Sequence, residues 1–147
     1  MKLSFKKISV FLVFTYLIIG IYLSLNTGIS HDEFHEQQNW TVNLQAIKDF
    51  FNTGEYESFL KFKDRYHGIG FHYISQPLQY LFSGLVEKIF QINEYGGLLI
   101  SKHIAVFLIF FISGLLLFKI FKTINNDDNF AIISTGIYFL FPYLLGH

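Results

Sequence analysis

The chain has 147 residues, of which 52% are hydrophobic and only 15% charged; eleven acids balance eleven Lys and Arg, so no basic surface points to nucleic acid. There is no cysteine, which excludes disulfides, thiolate nucleophiles and cysteine-ligated zinc. A soluble domain carries about a quarter charged residues; the deficit here accompanies 19 Phe and 9 Tyr and a clustering of apolar residues into runs.

Lys2, Lys6 and Lys7 lead into an apolar run over residues 8–25, with VFLVFTYLIIGIYLSL at its centre. A span needs ~20 mostly apolar residues. The run is too long for the core of a cleaved signal, and Tyr22, Leu23 and Leu25 stand where small residues would be needed for cleavage. A retained first span is expected. A second is expected over residues 102–121, and a third over residues 130–147, where the apolar run is still continuing at His147. The Lys residues before the first span and Lys119 and Lys122 after the second predict a cytoplasmic amino terminus. Residues 26–101 then form an extracytoplasmic loop. The expected class is all-α: a polytopic membrane protein with about three transmembrane helices and amphipathic juxtamembrane helices in the loop.

Within the loop, Ser30 and Glu33 form an S-x-x-E capping box. Trp40, Leu44, Ile47 and Phe51 follow on one helical face, and Gly54 ends the pattern. A second pattern opens at Pro77, a favoured first helical residue, with Leu78, Leu81, Phe82, Leu85 and Ile89 on one face. Both helices are expected to lie along or partly within the membrane surface. Between them lies an aromatic, turn-prone segment, Tyr66-His67-Gly68-Ile69-Gly70-Phe71-His72-Tyr73.

The residues that carry chemistry begin at His31-Asp32-Glu33-Phe34-His35-Glu36. In a helix Asp32, His35, Glu36 and Asn39 share one side. A carboxylate here could act as a general base on an acceptor hydroxyl, or hold a divalent metal that neutralises a phosphate leaving group. The plainer account is that acids in a first helical turn complement the helix dipole, and that Glu33 serves the cap. His31, Asp32 and His35 also spell H-D-x-x-H, one residue type away from the zinc-peptidase H-E-x-x-H, with only Glu36 and His72 as candidate third ligands. The rings and imidazoles of the Tyr66–Tyr73 segment suit a sugar, or equally an interfacial aromatic belt. Lys63, Arg65 and Lys102 suit a lipid phosphate or ordinary anionic headgroups. His103 opens the second span.

This arrangement resembles the GT-C membrane glycosyltransferases, specifically the protein O-mannosyltransferase and aminoarabinose-transferase-like group. The resemblance rests on the acidic pair Asp32-Glu33 with Trp40 downstream and on Arg65-Tyr66-His67-Gly68 followed by Phe71 and the 77–89 helix. It also rests on Lys102-His103 opening the second span and on Pro142, Gly146 and His147 near the end. It covers the whole chain through short motifs and implies that residues 1–147 are the amino-terminal part of a longer GT-C transmembrane domain. It also implies sugar transfer from a polyprenyl-phosphate donor to a protein or lipid acceptor at the extracytoplasmic face. Asp32 would be the catalytic acid-base group with Glu33 beside it, and His35, Arg65, Tyr66, His67, Lys102 and His103 would contact substrate. Lys102 replaces the commoner Arg, which would forgo bidentate phosphate binding. The non-enzymatic alternative is a small membrane protein that binds a partner or lipid through its aromatic outer loop.

Overall fold

The computed structural model describes residues 5–65 and 69–140. Among them the regular structure is entirely α-helical: α1 (Phe5–Asn26), α2 (His31–Thr53), α3 (Glu57–Lys61), α4 (His72–Phe90), α5 (Glu94–Asn125) and α6 (Asp128–Leu140). Two stretches are long and apolar enough to cross a membrane, Lys7–Asn26 and Glu94–Asn125. The described part of the expected third span is α6, with 13 residues; Pro142, Gly146 and His147 lie outside the described residues. The chain divides into two units, one of residues 1–26 and 106–147, the other of residues 27–105.

The first unit holds α1, the larger part of α5, and α6. Its α1 leaves Val10, Phe11, Leu12, Phe14 and Tyr22 exposed, as expected of a helix that is apolar all round and meets lipid. The Tyr16 ring lies 5.9 Å from Phe107 and 5.0 Å from Phe139, and its hydroxyl donates to the Phe139 carbonyl at 3.1 Å. Gly20 faces the Phe107 ring and Gly114 the Phe139 ring so closely that neither position has room for a Cβ. Small residues let apolar helices approach where no hydrophobic force drives them together. The Ser113 and Tyr138 hydroxyls share a hydrogen bond of 2.6 Å. Asp127 opens α6 by accepting from the Asn129 N–H at 2.8 Å, and Lys122 pairs with Asp128 at 2.9 Å.

The second unit holds α2, α3, α4 and residues 94–105 of α5. The capping box forms at the start of α2: the Ser30 N–H donates to Glu33 Oε1 at 3.1 Å. Gly54 closes the helix in the left-handed region at φ 77°, where a side chain would be strained. The second loop helix differs from the sequence expectation at its start. It begins at His72, and Pro77 is internal. The first turn is held by Ile74 and Ser75 N–H groups donating to the Phe71 carbonyl, so the bond that Pro77 is unable to donate falls two residues further on, at the Tyr73 carbonyl. The second apolar helix, α5, also starts earlier than its apolar run, because the Asn93 side chain accepts from the Gly96 N–H at 2.8 Å and caps it.

The faces of α4 are reversed from those of a helix in a water-soluble core. His72, Ser75, Gln76 and Gln79 are buried with Val86, while Ile74, Tyr80, Leu81, Leu85 and Ile89 are each at least half exposed. The stripe of Leu81, Leu85 and Ile89 read from the sequence is therefore the outer face. On α2, Trp40 is buried, Leu44 is half-buried, and Ile47 and Phe51 face outward.

Candidate functional site

The capping box at the start of α2 fixes the direction of the acids that follow. Glu33 spends Oε1 on the Ser30 N–H and turns Oε2 toward His103 Nε2 on α5, 2.9 Å away. Both side chains of this pair are largely buried. One turn further on, Glu36 pairs with the Lys102 ammonium, which is buried. Spacing of three along α2 and adjacency on α5 thus build two parallel contacts, Glu33 with the His103 ring and Glu36 with the Lys102 ammonium, which fix the rotation and register of α2 on residues 102 and 103. Each charge taken from water needs such a partner.

Asp32 stands apart from this pairing. It is exposed, and among the described residues its carboxylate has no hydrogen-bond or ion-pair partner. Of the three acids in the first turns of α2, it is the one left open to an incoming group.

On the neighbouring side of α2, His31 and His35 meet edge to face with ring centroids 5.0 Å apart. They border an open depression of about 400 Å³ lined also by Phe34, Gln37, Gln38, Thr41 and Tyr95. The Phe34 and Tyr95 rings stack with centroids 5.8 Å apart.

Behind Gln37 runs a buried polar seam. Gln76 on α4 donates through Nε2 to Gln37 Oε1 at 2.9 Å, and Gln79 donates to Ser75 Oγ at 3.1 Å. Asn39 Oδ1, Gln76 Oε1, Gln79 Oε1 and both ring nitrogens of His72 are buried with no partner among the described residues. His72 lies flat on Trp40, centroids 5.9 Å apart at 13°. Burial penalises the imidazolium and holds the His72 pKa below its ordinary value.

The expected site residues therefore divide. Glu33 meets His103 and Lys102 meets Glu36, while Asp32 and His35 share the first turns of α2. Lys102 and His103 are engaged by Glu36 and Glu33 rather than left for a phosphate. Arg65 is held elsewhere, donating to the Phe62 carbonyl at 3.2 Å. Tyr66 and His67 lie outside the described residues. From the sequence Glu36 is named only within the acidic cluster and as a candidate third zinc ligand, and Gln37, Gln76 and Gln79 are not named at all. The signal that could have found the last two is the polar spacing His72, Ser75, Gln76, Gln79, one helical face that the apolar stripe overshadows. For the zinc reading, Glu36 is held by Lys102 and His72 is packed on Trp40. Among the described residues no group of three or more His, Asp or Glu is placed to hold a metal. No family model, no curated protein and no solved structure matches the chain.

Proposed function

We propose that the chain carries the acceptor-activating part of a membrane glycosyltransferase that draws its sugar from a polyprenyl-phosphate carrier at the extracytoplasmic face. The observation that carries this reading is Asp32: an exposed carboxylate, unpartnered among the described residues, six residues past the α1 terminus and beside two acids already engaged by Lys102 and His103. As a general base Asp32 takes the proton of an acceptor hydroxyl. The oxygen bonds to the anomeric carbon, the carbon–oxygen bond to phosphate breaks, and polyprenyl phosphate leaves with the electron pair. Glu33 and Glu36 act as positioning residues, since their contacts with His103 and Lys102 set the angle at which α2 presents Asp32.

The test is Asp32→Asn in cells producing the complete reading frame. Loss of a positioned base lowers rates by roughly 100-fold or more, so transfer should collapse while membrane insertion is kept. Transfer at the wild-type rate overturns the assignment of Asp32.

The second reading is a non-enzymatic membrane protein that engages a partner or lipid. What favours it is the outward face of α4 together with Phe50 and Phe51, which are 52% and 81% exposed. Transfer lost with Asp32→Asn decides against it.

A further inference from the structure

We propose that a second depression, where α4 meets the start of α5, holds the primary ammonium of a phosphatidylethanolamine headgroup. This site goes beyond the transferase reading and does not depend on it; it needs only a bilayer against the outer face of α4. The depression measures about 400 Å³ and is lined by Tyr80, Ser83, Asn93, Glu94, Tyr95 and Leu98. Its one ionised side chain is the Glu94 carboxylate, with no Lys or Arg in the lining to meet it. Glu94 is exposed, and among the described residues it has no hydrogen-bond or ion-pair partner. Tyr80 and Tyr95 are 60% and 44% exposed, and ring surface of this kind attracts a cation. The stack on Phe34 holds the Tyr95 ring in place. Ser83 spends its proton on the Tyr80 carbonyl at 3.2 Å, which leaves its oxygen to accept. An ammonium seated here donates to Glu94 and to Ser83.

The surroundings favour a lipid over a free amine. Leu81 and Leu85 follow Tyr80 along the outer face of α4 and are 70% and 60% exposed, so an acyl chain has an apolar path beside the depression. Gly84, one turn beyond Tyr80, leaves open space where a side chain would otherwise stand. Tyrosine, with an apolar ring and a polar tip, suits the headgroup level. The field of the α5 amino terminus opposes a cation, but Asn93 takes up part of it. Its Oδ1 accepts from the Gly96 N–H at 2.8 Å and its carbonyl from the Gly97 N–H at 2.9 Å, and Glu94 then adds a full negative charge. The anionic headgroup of phosphatidylglycerol brings no cation for that carboxylate. The trimethylated ammonium of phosphatidylcholine has no N–H to donate to it. A primary ammonium held at Glu94 ties the start of α5 to the headgroup layer and sets the depth of the loop that precedes it.

Native mass spectrometry of the whole chain, released from nanodiscs of equal parts phosphatidylethanolamine, phosphatidylglycerol and phosphatidylcholine, tests this. Phosphatidylethanolamine is expected to stay bound roughly threefold more often than either of the others, the ratio that one exposed ion pair supplies. Glu94→Gln should remove most of that preference and Tyr80→Leu part of it, while Tyr80→Phe keeps it. Glu55→Gln, an exposed acid outside the lining, should leave it unchanged and so separates the site from the charge of the chain. A variant that inserts poorly lowers all three lipids together and leaves their ratio to be read. Retention in proportion to the nanodisc composition overturns the proposal, as does a preference that survives both Glu94→Gln and Tyr80→Leu. So does phosphatidylcholine held as strongly as phosphatidylethanolamine, which would mark ring surface without the carboxylate contact.

Discussion

Glu36 and Lys102 are unequal partners: the ammonium is 8% exposed and the carboxylate 52%. Removing the carboxylate strands a buried cation, whereas removing the cation releases an acid that water can still reach. Breaking a fully buried pair from one side costs about 3–5 kcal/mol; with one partner half exposed, Glu36→Gln is expected to cost roughly 1–3 kcal/mol. Lys102→Met should cost less than about 1 kcal/mol. Thermal unfolding of the two variants in nanodiscs checks the asymmetry, and equal losses would contradict it. Glu33→Ala removes both a cap contact and the His103 partner, so it should exceed the ~1 kcal/mol typical of a lost cap. His72 gives a pH signature of its own. Its folded pKa lies below the unfolded value of about 6.5, so between the two the unfolded chain binds more protons. Stability is full above about pH 6.5, falls as the solution is acidified through that value, and levels off below the lowered pKa. In His72→Phe, which keeps a ring against Trp40, this fall in melting temperature below pH 6.5 should be reduced.

Among the helices, the contacts of Gly20 and Gly114 with phenylalanine rings carry the sharpest expectation. Gly114→Val drives a branched side chain into Phe139, and overpacking of this kind costs about 1–3 kcal/mol. The restoring double variant, Gly114→Val with Phe139→Leu, should recover part of the loss in a melting experiment. Neither glycine contact is legible in the sequence, because a glycine in an apolar run gives no hint of the ring it will meet. The α2 boundaries were legible: Ser30, Glu33 and Gly54 act within their own turns, and local chemistry decides such ends. The start of α4 was not, since Pro77 favours a first helical position, whereas the bonds to the Phe71 carbonyl start the helix five residues earlier, at His72, and no residue pattern announces them. The acids 32–36 could be picked out as a cluster. Their division into paired Glu33 and Glu36 and open Asp32 depends on residues 66 to 70 positions distant, beyond the reach of local pattern.

For the molecule as a whole, the lack of any cysteine makes topology directly measurable. Single substitutions at the exposed Glu55 and Asn129, Glu55→Cys and Asn129→Cys, should react differently with a membrane-impermeant maleimide applied to intact cells. Glu55→Cys should label from outside, and Asn129→Cys only after permeabilisation, following the lysine distribution. The reverse pattern would leave Asp32 on the cytoplasmic side, away from a carrier-linked donor. A brominated-lipid quenching experiment on Leu85→Trp, with Trp40→Phe as background, should show strong quenching if the outer face of α4 meets acyl chains. Quenching no greater than that of a surface-exposed Trp at Glu55 would place the helix in water instead.

If quenching shows that the outer face of α4 meets acyl chains, its reversed faces make the choice of medium part of the folding code. In a lipid-free translation mixture the same nineteen residues would gain by rotating half a turn, hiding Leu81, Leu85 and Ile89 and offering the glutamines to solvent. Such a product would keep its helicity yet lose the Gln37–Gln76 bond, so circular dichroism would report a sound protein where the amide network had never formed. Adding bilayers after synthesis would then have to undo a wrong interior, whereas adding them beforehand would not.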